Sequence, residues 1–245
     1  MTATPHPYIR SLVAVLAMLA LILAMDTLRL FGSQQWLSAF VGIETQYFYA
    51  LLGLLAPWVF ITFPSRPWID WPLAIAFVAI LAGFFVTAER ALDEAWEFAA
   101  PDYAVYASIA LWAMLLEALR RAAGWPLCLI AGAFSILPVV TEYMPGPLSG
   151  LPSTWAEAAS YHLLSIESVF GLPFRAFADL VIGFVVFGVV LQHTGGGQFF
   201  LNLAFAILGR QRGGPAKVAI VSSGLMGSMS GSVVTNVLTL SLIHI

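Results

Sequence analysis

Apolar runs of membrane-crossing length alternate along this chain with short polar punctuation. A helix needs about 20 apolar residues, at about 1.5 Å rise each, to cross a hydrocarbon core. Six runs meet or approach that length: residues 9–25, 45–63, 72–88, 103–119, 125–143 and 174–192. The pattern predicts an all-α, polytopic membrane protein with about six transmembrane helices. The first run is short, and Arg10 ahead of it gives the outline of a signal peptide. No A-x-A cleavage site follows and Asp26 closes the run, which favours a retained signal-anchor.

Two segments are too polar to span. ALDEAWEFAA (91–100) and WAEAASYHLLSIESVF (155–170) place apolar residues on one helical face and acids or serines on the other. Both are expected as external helices lying along the membrane surface. PGPLSGLPS (145–153) is rich in turn formers and reads as a loop.

After the sixth run, Gly195, Gly196 and Gly197 stop the helix. QFFLNLAFAILG (198–209) makes about 18 Å of helix, too short to cross. The basic RQRGG follows, and Pro215 suits the first turn of a new helix. From 215 to 228 the chain reaches about 21 Å, enough to pass the midplane without emerging. A partial re-entrant hairpin with a glycine-serine tip is expected there.

Composition supports the membrane reading. Hydrophobic residues make up 60% and charged residues 9%, against about a quarter charged in soluble chains; too few charges remain to cover a soluble surface. Basic residues set the orientation. With the N-terminus in the cytoplasm, Arg10, Arg66, Arg120, Arg121, Arg210, Arg212 and Lys217 fall inside, and only Arg29, Arg90 and Arg175 outside. Trp68, Trp71, Trp96, Trp125 and Trp155 fall at predicted span ends, where interfacial anchors belong.

The net charge of −3 comes without a basic run, so nucleic acid is not an expected partner. Cys128 is the single cysteine, which excludes a disulfide framework. His6, His162, His193 and His244 lack metal-ligand spacing. Asp179 lies one turn after Arg175, a spacing that predicts an i,i+4 pair near the outer interface. Glu117 and Glu142 sit at span ends.

The stretch GGPAKVAIVSSGLMGSMSGSVVTN (213–236) carries the candidate chemistry. Gly227-x-x-x-Gly231 alone is a helix-packing signature. Ser228, Ser230, Ser232, Thr235 and Asn236 add hydroxyls and an amide at membrane depth. Irregular polar backbone is tolerated there where protein buries it or where it lines a cavity. Freed carbonyls with Ser, Thr and Asn oxygens suit a hard cation such as Na⁺. A returning helix N-terminus would suit a substrate carboxylate.

Enzyme readings fare worse. A G-x-S-G elbow would need Gly at 228, where Ser228 stands, and no partner histidine follows on a later helix. GRQRGGPAK has Ala216 where a phosphate loop needs glycine. The chain is not expected to be an enzyme or to need a cofactor beyond a coupling ion.

VFGVVLQHTGGGQFFLNLAFAILGRQRGGPAKVAIVSSGLMGSMSGSVVTN, within 186–239, resembles the permease of TRAP (tripartite ATP-independent periplasmic) transporters, of the fused type that works with TAXI binding proteins. RGGPAKVA and SGSVVTNV are its specific parts. The resemblance implies a multi-pass secondary transporter in the bacterial inner membrane. It would take an organic acid from a periplasmic TAXI-type binding protein, coupled to Na⁺ or, in some such systems, H⁺. It places Ser228, Ser230, Gly231, Ser232 and Asn236 as candidates for the ion and substrate site, the first four as Na⁺ ligands. Gly188 matches a family glycine with a packing role. An elevator motion is implied, with residues 1–124 as a small-subunit-like four-helix scaffold, 125–173 as a connecting helix and external segment, and 174–245 as the start of the transport domain. The family continues after the tip with Thr-Gly and a second, inverted repeat, whereas this sequence reads LTLSLIHI. The chain is therefore expected to be a fragment, inactive alone. The alternative is a non-transporting membrane scaffold in which the glycine-serine tip only packs.

Overall fold

The structure, a computed structural model, describes residues 7–27, 40–146 and 149–230. Among these there is no strand, and the fold is all-α, as the apolar pattern requires. Among the described residues, five stretches are long and apolar enough to cross a membrane: Glu44–Thr62, Trp68–Asp93, Asp102–Ala123, Trp125–Tyr143 and Leu172–Val190. Ser11–Thr27 is a further apolar helical stretch. The chain forms two compact units, Met1–Arg175 and Ala176–Ile245.

The first unit contains α1 (Pro7–Thr27), α2 (Glu44–Leu55), α3 (Trp58–Thr62), α4 (Pro67–Asp93), α5 (Trp96–Ala99), α6 (Asp102–Ala123), α7 (Trp125–Val140) and α8 (Trp155–Leu164). The second expected span is two helices rather than one. Pro57 has no N–H to continue α2, and Trp58 Nε1 donates to Leu54 O across the break at 2.8 Å. Gln46 ties the start of α2 to its neighbours. Its Oε1 accepts from the Gly42 and Ile43 N–H groups (2.7 and 3.3 Å), and its Nε2 donates to Phe85 O on α4 (3.2 Å).

An aromatic cluster links α2 to the segment after α8. Phe170 is fully buried; it stacks on Phe48 at 5.9 Å and meets Tyr49 edge-on at 5.2 Å. Such pairs contribute roughly 0.5–1.5 kcal/mol beyond the area they bury. The Tyr49 hydroxyl donates to Leu163 O at 2.9 Å, so the buried phenol is satisfied.

The two expected surface helices need correction. In 91–100, α4 runs on to Asp93 and the chain turns through Ala95 in the left-handed region (φ 51°) before α5 begins. Trp96, expected as an interfacial anchor, is instead 1% exposed. Its Nε1 donates to Glu94 Oε2 at 2.7 Å and its ring lies edge-on to Tyr103 at 5.7 Å. Arg90 and Trp96 both donate to Glu94, which holds its carboxyl below the ordinary range. A left-handed L-residue costs about 1–2 kcal/mol. Ala95→Gly is therefore expected to stabilise the protein by about 1 kcal/mol, less the backbone entropy glycine loses on folding; a raised thermal midpoint in detergent would show it.

The other segment, α8, does not lie on the surface. Thr154 caps it, accepting from the Glu157 N–H at 3.2 Å while Glu157 Oε2 accepts from Thr154 N at 2.7 Å. The helix packs among α5, α6 and α7, with Ala158, Ala159, Ser160, His162, Leu163 and Leu164 buried. Small residues at 158–160 permit this close approach, and His162 finds its partners inside. Ser160, His162 and Ser165 of the expected polar face are turned inward, while Glu157 and Glu167 stay exposed.

At the far ends of α4 and α6, charges pair out of water. Arg121 Nη1 donates to Asp70 Oδ1 at 2.6 Å, and both side chains are almost fully buried. Asp70 Oδ2 accepts from the Ser65 and Arg66 N–H groups (2.8 and 2.9 Å), capping the start of α4. Arg121 Nε also reaches Glu117 at 2.7 Å, and its guanidinium lies 5.2 Å from the centre of the Phe60 ring.

The expected Arg175–Asp179 pair is not formed. Arg175 Nη2 donates to Glu44 Oε2 at 3.1 Å instead. Residues Phe177–Val181 form a π turn, whose wider winding carries Asp179 away from the face an α-helical i+4 residue would share.

Candidate functional site

The second unit holds most of the candidate site. It contains α10 (Ile182–His193), α11 (Gly196–Leu208) and α12 (Gly214–Ser230), after α9 (Leu172–Ala176) and the π turn. Gly195 starts α11 from the left-handed region at φ 83°, as expected of a helix-stopping glycine. α11 buries Phe200 and Ala204, and α12 buries Val218 and Ser222 one turn apart. These two helices pack together, and α12 also packs on α10, where Gly188 is buried.

The turn into α12 is close. Gly213 is left-handed at φ 73°. A Cβ on Gly214 would stand 2.6 Å from Gly209 O. Gln211 N donates to Leu208 O at 3.0 Å, and Lys217 Nζ to Gln211 Oε1 at 3.0 Å. RQRGGPAK is thus a compact basic turn whose glycines are required sterically.

α12 is described from Gly214 to Ser230, about 25 Å of helix. Gly224 and Gly227 do not interrupt it. The helix continues through Ser228 to Ser230, so the expected break at Ser228 does not occur there. Consecutive intrahelical bonds outweigh the modest cost of glycine and serine in a helix, up to about 1 kcal/mol each. Ser228 and Ser230 therefore both belong to α12. Gly231, Ser232, Thr235 and Asn236 lie outside the described residues.

A second polar centre, in the first unit, was not foreseen. His162 on α8 is 8% exposed and engaged through both ring nitrogens. Nε2 meets Ser135 O at 2.8 Å, and since a carbonyl only accepts, Nε2 carries the hydrogen. Nδ1 faces Ser168 Oγ at 2.6 Å. Trp112 Nε1 donates to Ser135 Oγ at 3.2 Å, and that hydroxyl donates to Gly132 O at 2.9 Å. Pro138 helps, because it has no N–H for the carbonyl one turn back and loosens α7 beside Ser135. Sequence offered only a histidine within SYHLLSIES; the partners on α6 and α7 are more than twenty residues away. Among the described residues no cluster of three or more His, Cys, Asp or Glu could hold a metal ion.

Apolar helices of crossing length define a polytopic all-α membrane protein. Residues 110–245 match the family described as the tripartite ATP-independent periplasmic transporter, DctM component. The chain belongs to that family and is a membrane permease component of such a transporter. No curated protein and no solved structure matches the chain.

Proposed function

We propose that the chain serves a secondary active, Na⁺-coupled TRAP transporter that imports an organic acid handed over by a periplasmic TAXI-type binding protein, with H⁺ as the other coupling ion such systems use. The observation that carries this reading is α12, which opens at the close basic turn after α11 and carries Gly224, Gly227, Ser228 and Ser230 in one helix within a matched DctM region. Helices that stop inside the membrane supply carbonyl and hydroxyl oxygens to ions at the midplane. Ser228, Ser230, Gly231, Ser232 and Asn236 are the proposed ion and substrate site, with the first four as Na⁺ ligands. Residues 1–124 are the proposed small-subunit-like scaffold, 125–173 a connector, and 174–245 part of a moving, elevator-type transport domain. The excess of Arg and Lys on alternate connections supports a cytoplasmic N-terminus in a bacterial inner membrane.

The test is uptake of labelled dicarboxylic and keto acids by proteoliposomes holding the permease and its binding protein, under an imposed Na⁺ gradient. Ser230→Ala and Asn236→Ala are expected to lower uptake at least about tenfold, the equivalent of about 1.4 kcal/mol in ion binding, with normal insertion. Unchanged uptake in both variants rejects the site. Loss of folding or assembly alone favours a scaffold whose tip only packs.

A further inference from the structure

α6 and α7 are joined by one residue, Gly124, in the left-handed region at φ 85°. The two arms diverge from that turn and leave a cavity of about 470 Å³ between them, within the roughly 300–1,000 Å³ typical of ligand sites. Leu115, Leu116 and Leu119 form one wall, and Ala131 and Phe134 the other. Both arms are of membrane-crossing length, and no residue of α7 is buried, so the groove opens sideways onto hydrocarbon.

Its inner end is Trp112, Ser135, His162 and Ser168. The donors there are engaged with one another or with backbone carbonyls, as described above, so this end offers no free donor to a polar ligand. From Leu119 to Trp112 is two helical turns, about 10 Å, within the roughly 15 Å depth of one leaflet's hydrocarbon. The groove therefore suits a chain of methylenes lying along the bilayer normal.

The end nearest Gly124 has the opposite character. Arg120, one turn beyond Leu116, keeps 29% of its side chain exposed. Its Nε and Nη2 donate to Glu117 at 2.7 Å each, while Nη1 makes no hydrogen bond among the described residues. The guanidinium lies 5.2 Å from the centre of the Trp125 ring, which is 60% exposed. A tryptophan with a forked cation is the pairing expected at headgroup level, and arginine matches phosphate geometry.

We propose that this groove is a phospholipid site: one acyl chain of a lipid, from the leaflet on the side of Gly124, lies between α6 and α7, and its phosphate sits on Arg120 Nη1 beside Trp125. The lipid is a fixed part of the first unit, and its binding does not depend on transport.

Native mass spectrometry of the full chain in mild detergent tests this, with dioleoyl phosphatidylglycerol and the diacylglycerol of the same chains as probes. The wild type is expected to retain one phospholipid, preferred over the diacylglycerol by about tenfold, the size of a charge-assisted hydrogen bond. Arg120→Gln is expected to reduce that preference to about twofold or less. Ala131→Trp, which fills the groove, is expected to lose the lipid while eluting as a folded monodisperse species; Leu129→Trp, at an exposed position on the same helix, keeps it. Retention of the lipid by well-folded Ala131→Trp, or an unchanged preference in Arg120→Gln, overturns the assignment. So does a photocrosslinker at Phe134 that captures polypeptide instead of lipid in native membranes, since another protein segment would then be the occupant.

Discussion

Arg121→Leu is expected to destabilise the first unit by about 3–5 kcal/mol, the cost of leaving one buried charge without its partner. The side chains of Arg121 and Asp70 are 7% and 3% exposed, so water cannot replace the lost ion pair. Asp70 would keep its two backbone donors, Ser65 and Arg66, but lose the Arg121 guanidinium. For a chain of this size such a loss corresponds to a fall of at least about 6 °C in melting midpoint, measurable in detergent by tryptophan fluorescence. Adding Asp70→Asn to Arg121→Leu removes the orphaned charge while keeping an oxygen for the backbone donors. The double variant is expected to recover about 0.5–3 kcal/mol relative to the sum of the singles. Arg90→Ala is the contrast: its pair with Glu94 is 66% and 47% exposed, and such surface pairs contribute little to stability. Equal effects at Arg121 and Arg90 would mean that burial does not govern the Asp70 pair.

Gly214→Ala should have the next largest effect, and in the second unit. Its Cβ would stand 2.6 Å from Gly209 O and 3.1 Å from Gly209 C, both backbone atoms with no rotamer to escape into. Overpacking of this kind costs about 1–3 kcal/mol or more. The turn that sets α12 against α11 must open to relieve it. Gly224→Ala gives the opposite sign within the same helix. Nothing lies within 4 Å of the place its new methyl group would take, and replacing a mid-helix glycine by alanine gains about 0.5–1 kcal/mol. Thermal unfolding of both variants decides the matter, and a destabilised Gly224→Ala with a neutral Gly214→Ala would contradict this packing.

The spans were legible because lipid imposes a length and a composition on any helix that crosses it, and the apolar runs at 103–119 and 125–143 match α6 and α7 with their short extension to Tyr143. What escaped was every arrangement set by distant partners. α8 shows a polar face because Ser160 and His162 are turned into the protein, and no local pattern distinguishes that from a face turned to water. Trp96 sits at a span end like the exposed Trp68 and Trp125, yet its neighbours Glu94 and Tyr103 enclose it. Arg175 has an acid at i+4, but a π turn intervenes and Glu44, 131 residues away, takes the contact. At the candidate site the sequence carried residue types and the family, while the helix through Ser228 and Ser230 depended on local bonds that the glycine-serine composition obscured.

The single residue between α6 and α7 also bears on how the protein reaches the bilayer. α6 carries Glu117, Arg120 and Arg121 near its end, whereas Trp125–Val140 contains no charged residue. With Gly124 alone between them, the two helices are tied at their ends and enter lipid as neighbours. The charged end of α6 is therefore delivered as part of a hairpin, its acid and arginines already within reach of one another, and an uncharged companion carries the pair into lipid.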